Sequence, residues 1–182
     1  DRIVESARRT YREAVVAAVD AERIAAADLT VAVDPGHGAG ALVSPDLFRE
    51  LGCTVHTINA QPDGHFPGRN PEPVAATLGD LRSYVRATDA DLGIAHDGDG
   101  DRAMFVDERG EHIDGSATFA ALAAAELQED DGVVSAINAS QRLVDVVEAA
   151  GATLSLTPIG STYIVSRIKD GQASCTHVAI LC

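Results

Sequence analysis

Twice along this chain an apolar run of strand length ends in a turn, passes through a short helical stretch closed by glycine, and resumes as a second apolar run. The first copy covers residues 31–58, with Gly52 after its helix; the second covers residues 133–156, with Gly151 in the same place. A glycine just past a helix supplies the left-handed backbone that ends it. Strands that alternate with helices are joined by right-handed crossovers and lie parallel. The repeat therefore predicts an α/β fold of two consecutive related α/β/α units with mainly parallel sheets and a boundary near residues 107–115. In such folds ligands bind where strands end at their carboxyl side.

The spacing of Ile3, Ala7, Tyr11, Ala14, Val15, Ala18 and Val19 predicts one helix over 2–26. Ser44-Pro45-Asp46 reads as a helix start with Ser44 as N-cap, and Ser140 is placed to cap a second helix. Residues 92–95 and 103–106 read as short strands, and Glu108-Arg109-Gly110 as a hairpin turn. Both ends read as interrupted: the chain opens inside a helical pattern and stops in a strand-like run at 178–182. The expected organisation is a helix from the end of a preceding domain at 1–28, an α/β domain at 29–107, and an incomplete α/β domain at 112–182.

Composition narrows the partners. The 182 residues carry 28 acidic and 14 basic side chains, a formal charge of −14, which disfavours nucleic acid and anionic membrane. Hydrophobic residues make up 46% and aromatics 4%, so the core is expected to be aliphatic, as in helix-covered sheets. No apolar run reaches membrane-spanning length. Cys53, Cys175 and Cys182 show no paired spacing, which predicts a reduced, cytoplasmic protein.

The chemistry concentrates in Asp97-Gly98-Asp99-Gly100-Asp101-Arg102, directly after a strand. Three carboxylates this close repel one another unless a cation sits among them. Gly98 and Gly100 remove side chains that would keep the loop from closing round one ion. Oxygen-only ligands select a hard cation, Mg2+ before Zn2+, so Asp97, Asp99 and Asp101 are the candidate metal ligands. Arg102 cannot bind metal, but its fork suits a phosphate oxygen held against it. Three rivals are a solvated acidic turn, an EF-hand calcium loop with Glu108 in twelfth place, and an aspartyl-nucleophile phosphatase. Arg102 stands where the EF-hand requires glycine, and the phosphatase motif belongs to the first strand of its domain.

This loop resembles the Asp-Gly-Asp-x-Asp-Arg of the alpha-D-phosphohexomutases, and the resemblance runs from about Leu29 to Asp170. Val33-Asp34-Pro35-Gly36-His37-Gly38-Ala39-Gly40 is similar to the opening of that family's second domain, and Phe66–Pro73 to its Phe-Pro-x-x-x-Pro-x-Pro stretch. Thr157-Pro158-Ile159-Gly160 is similar to a turn of the third domain. The resemblance implies Mg2+ at Asp97, Asp99 and Asp101, a phosphate contact from Arg102, and a sugar-phosphate contact from Thr157, Gly160 and Ser161. It further implies a phosphoglucomutase or phosphomannomutase: an intramolecular phosphotransferase moving a phosphoryl group between C1 and C6 of a hexose phosphate through a phosphoserine and a bisphosphate. No Thr-Ala-Ser-His-Asn-Pro-type nucleophile loop occurs in these residues, so no catalytic nucleophile is assigned and the chain alone is expected to be inactive. The alternative from another class is a non-catalytic α/β module that binds a divalent cation.

Overall fold

A computed structural model describes residues 2–170; the strand expected at 178–182, Cys175 and Cys182 lie outside them. The chain divides into two compact units, Asp1–Ile113 and Asp114–Cys182.

The first unit is built on a five-stranded sheet. In chain order the strands are β1 (Thr30–Asp34), β2 (Thr54–Thr57), β3 (Leu92–His96), β4 (Ala103–Asp107) and β5 (His112–Ile113), and in space they run β2-β1-β3-β4-β5. β1 pairs parallel with both β2 and β3, while β4 returns antiparallel to β3 and β5 antiparallel to β4. The sheet is thus mixed, because the six residues between His96 and Ala103 form a hairpin connection, too short for a crossover.

Both faces of this sheet are covered. Ala32, Ala95 and Val106 pack with Leu81 and Val85 of α4 (Gly79–Ala87) in one cluster. Val31 and Val33 face the other way, with Cys53, Phe48 of α3 (Ser44–Glu50) and Ile24 of α2 (Ala21–Ala26). Burial on both faces explains why β1 and β3 read as continuous apolar runs. Leu78, Leu81 and Val85 are fully buried, and each such side chain contributes about 1.5–3 kcal/mol.

Two local expectations are corrected. The helix over 2–26 is broken: α1 (Arg2–Ala17) ends before Asp20, whose carboxylate accepts from the Arg23 N–H at 3.0 Å and starts α2. Ser44 is not an N-cap; Val43 holds that position, and the Ser44 hydroxyl is drawn to His96. Ser140 does stand at the N-cap of the helix Gln141–Ala149, but its hydroxyl makes no capping bond.

The second unit has the parallel pair β6 (Gly132–Ala136) and β7 (Thr153–Thr157), with α5 (Gly115–Glu126), α6 (Gln141–Ala149) and α7 (Ser161–Lys169). Ala123, Leu143 and Val147 form its core, with Phe119, Val133 and Leu154 against them. Among the described residues no helix is long and apolar enough to cross a membrane.

Candidate metal centre

β1 and β3 are neighbours in one sheet, so the loops that leave their carboxyl ends meet side by side. They interlock through the Ala39 N–H, which donates to the Gly98 carbonyl at 3.0 Å. The approach is close enough to require glycine. A Cβ on Gly38 would lie 2.5 Å from the Gly98 carbonyl oxygen and 2.9 Å from that of Asp97.

The acidic hairpin is folded round the Asp97 carboxylate, which is 4% exposed. Its Oδ1 accepts from the Gly100 and Arg102 N–H groups at 3.0 and 3.2 Å, and its Oδ2 accepts from Arg102 Nε at 2.9 Å. Burial pushes this carboxyl up, but the Arg102 N–H and guanidinium outweigh burial and hold it below the usual carboxylate range. Asp99 and Asp101 are exposed. The hydrogen bond shared with Asp97, and then the charges of Asp99 and Asp97, push Asp101 up. A cation among the three would remove that repulsion.

The donor set fits a hard cation. Asp97, Asp99 and Asp101 each offer one oxygen, and these atoms lie within 4.8 Å of one another, a span that small loop closure brings to one ion. Asp99 and Asp101 lie on the exposed side of the loop, while Asp97 fixes its base.

Arg102 has its Nε on Asp97 and its two outer nitrogens on Glu72, with Nη2 to Oε2 at 2.8 Å. Hydrogen bonds to Glu72 first, then to Asp97, keep the guanidinium still more firmly protonated than usual. Glu72 presents to the fork the pair of oxygens that a phosphate would present.

His96 closes the other side. Its Nδ1 lies 3.1 Å from the Arg102 carbonyl and its Nε2 2.9 Å from Ser44 Oγ. A carbonyl only accepts, so Nδ1 carries the proton and Nε2 accepts from the Ser44 hydroxyl. Burial lowers the imidazole pKa, in keeping with that neutral form.

Sequence reasoning missed Arg69, Asp34 and Glu72. Asp34 is 1% exposed, and its side chain accepts from Gly36 N–H at 2.8 Å, Asn59 Nδ2 at 3.1 Å and Arg69 Nε at 2.8 Å. Removing one partner of such a buried pair costs about 3–5 kcal/mol. The signal was present as two lone charges, Asp34 ending an apolar strand and Arg69 inside a Pro- and Gly-rich loop. Nothing local joins them.

Thr157, Gly160 and Ser161 lie in the second unit, at one strand-to-helix turn. Thr157 ends β7, buried, with its hydroxyl donating to the Pro158 carbonyl at 3.1 Å. Gly160 has φ +137°, which favours glycine, and Ser161 opens α7, exposed.

The sequence profile described as phosphoglucomutase/phosphomannomutase, alpha/beta/alpha domain II matches residues 9–110, and that for domain III matches residues 114–177. A phosphoglucomutase/phosphomannomutase of Thermococcus kodakarensis is 42% identical over 168 residues, covering 91% of this chain and 37% of that protein. A probable phosphoglucosamine mutase of Methanosarcina acetivorans is 44% identical over 143 residues, covering 78% of this chain and 32% of the relative. Among solved structures, a putative phosphomannomutase from Thermus thermophilus superposes with TM-score 0.77 at 26% identity, covering 91% of this chain and 39% of the other. The chain therefore spans between about a third and two fifths of these relatives, and it belongs to the phosphoglucomutase/phosphomannomutase family, of which it covers the α/β/α domains II and III.

Proposed function

We propose that this chain is the metal-loop domain and the adjoining third domain of a magnesium-dependent phosphohexomutase. The whole protein is then a cytoplasmic intramolecular phosphotransferase that moves a phosphoryl group between C1 and C6 of a hexose phosphate, through a phosphoserine and a bisphosphate. The observation that carries this reading is the convergence of three carboxylate oxygens within 4.8 Å, with the Arg102 guanidinium on the same hairpin.

In this reading Asp97, Asp99 and Asp101 hold Mg2+, which supplies positive charge against the phosphoryl group in flight. Arg102 binds a phosphate oxygen beside them, releasing Glu72 as it does so. Asp97 holds Arg102 through its Nε bond, so a cation held by the three carboxylates and the Arg102 guanidinium would both be available to a bound phosphate. Thr157, Gly160 and Ser161 contact the sugar phosphate from the turn before α7, where Gly160 leaves backbone open to an anion.

Calorimetric titration of Mg2+ into the 182-residue chain tests the metal assignment. Binding is expected on the order of millimolar, since the phosphate that would complete the ion's shell is missing. Asp99→Asn removes an anionic ligand and should weaken binding about tenfold or more. Equal affinity in the two proteins would rule the loop out as the metal site.

A further inference from the structure

Arg69 is the most completely used side chain near the acidic hairpin, and none of its contacts is to a metal ligand's carboxylate. Its side chain is 5% exposed. Nε donates to Asp34 Oδ2 at 2.8 Å; Nη2 donates to the Asp34 carbonyl at 3.1 Å and the His96 carbonyl at 2.6 Å; Nη1 donates to the Asn70 and Pro71 carbonyls at 3.0 and 3.2 Å. Five acceptors thus meet the five N–H donors of a guanidinium. The acceptors come from three places: the carboxyl end of β1, the carboxyl end of β3, and the loop that carries Arg69 itself.

The His96 carbonyl belongs to the peptide that leads into Asp97. Holding that oxygen fixes the peptide plane, and with it the direction in which the Asp97 side chain leaves the backbone. The same loop reaches the far end of the hairpin, because Glu72 grips Arg102. The segment from Arg69 to Glu72 therefore braces the acidic loop before its first carboxylate and after its last.

We infer that Arg69 is a positioning residue for the cation loop, acting through the His96 carbonyl and balanced in charge by Asp34. This rests on the reading of Asp97, Asp99 and Asp101 as metal ligands. Groups one step outside a metal's ligands orient those ligands, and their replacement typically weakens metal binding about 10–100-fold. Lysine cannot substitute, since its point charge can reach Asp34 or the His96 carbonyl but cannot serve five acceptors in a plane.

The experiment uses the full chain with Mg2+, and with Tb3+ as a luminescent hard cation whose decay in H2O and D2O counts bound water. Arg69→Lys should weaken Mg2+ binding about tenfold and add about one water to bound Tb3+, because one carboxylate no longer reaches the ion. A purely structural role would lower the melting temperature of Arg69→Lys yet leave affinity and hydration of the folded protein as they were, and that result would overturn the inference. In case the variant does not fold, the unmutated chain provides a second readout. The buried Arg69 Nε–H resonance should shift during Mg2+ titration with the same midpoint as the Asp99 amide, and a resonance that stays still at saturation would also overturn it. Mg2+ binding that is lost in Asp99→Asn but kept in Arg69→Lys sinks this inference alone. No Mg2+ binding by the unmutated chain sinks the metal reading, and this with it.

Discussion

Asp114 shows how much one carboxylate can do at the start of a helix. Its Oδ1 accepts from the Ala117 N–H at 2.9 Å, capping α5, and its Oδ2 accepts from Arg142 of α6 at 2.9 Å. The Ala117 N–H first, and then Arg142, hold its pKa below the ordinary value. A depressed carboxylate binds its proton more weakly folded than unfolded, so its contribution is present above the unfolded pKa near 3.9 and is lost as pH falls through the folded value. Asparagine keeps a capping oxygen but carries no charge. Asp114→Asn should therefore be less stable than the unmutated chain at neutral pH and lose less on acidification, the two converging once the pH has fallen through the depressed folded pKa of Asp114. Hydrogen exchange of the α5 amides across that range checks it; parallel curves would show that the charge has no part.

At the scale of elements, the carboxyl ends of β1 and β3 matter more than either strand. Gly38 has φ −85°, which any residue adopts, so its need for glycine is purely one of space. The alanine Cβ in Gly38→Ala would meet backbone carbonyls of the acidic hairpin, and backbone cannot swing aside as a side chain can. Overpacking of this kind costs about 1–3 kcal/mol, and the relief available is to push the hairpin away from the β1 loop. Gly38→Ala is expected to melt lower and to bind Mg2+ more weakly. Gly79→Ala, at a position with nothing within 4 Å, should do neither. Equal Mg2+ affinity in all three proteins by calorimetry would show that the interlocked loops are independent.

For the molecule as a whole, the chain spans the family's α/β/α domains II and III, about two fifths of the length of the relatives that it matches. The proposed metal ligands stand within five residues of one another, so cation binding is expected in the isolated chain. Turnover needs a phosphoryl donor and a positioned sugar, and lost alignment alone costs several powers of ten in rate. The chain alone is predicted not to interconvert glucose 1-phosphate or mannose 1-phosphate with their 6-phosphates in a coupled assay containing Mg2+ and a hexose bisphosphate. Mg2+-dependent turnover above that of a chain with all three loop aspartates changed to asparagine would show that the two domains suffice.

The features legible from residue order are those whose causes lie within a few positions. The repeated strand and helix pattern follows from apolar spacing, the hairpin turn from Gly110 at φ +77°, and the acidic loop from alternating Asp and Gly. The three candidate ligands stand in adjacent alternate positions, so no long-range packing was needed to find them. The sheet's mixed sense was less visible, because a strand's period does not report its direction. Ser44 has the residue type of a cap, yet tertiary packing offers it His96, 52 positions away. Arg69 and Asp34 are 35 residues apart, and Glu72 and Arg102 30 apart. Their pairing depends on β1 and β3 lying side by side with the 66–73 loop folded over both, and no local pattern encodes that. The sequence by itself determined which groups can hold a cation, since that follows from charge and spacing. Only the tertiary structure decided what holds those groups in place, since a buried guanidinium takes its acceptors from whichever strand ends packing brings to it.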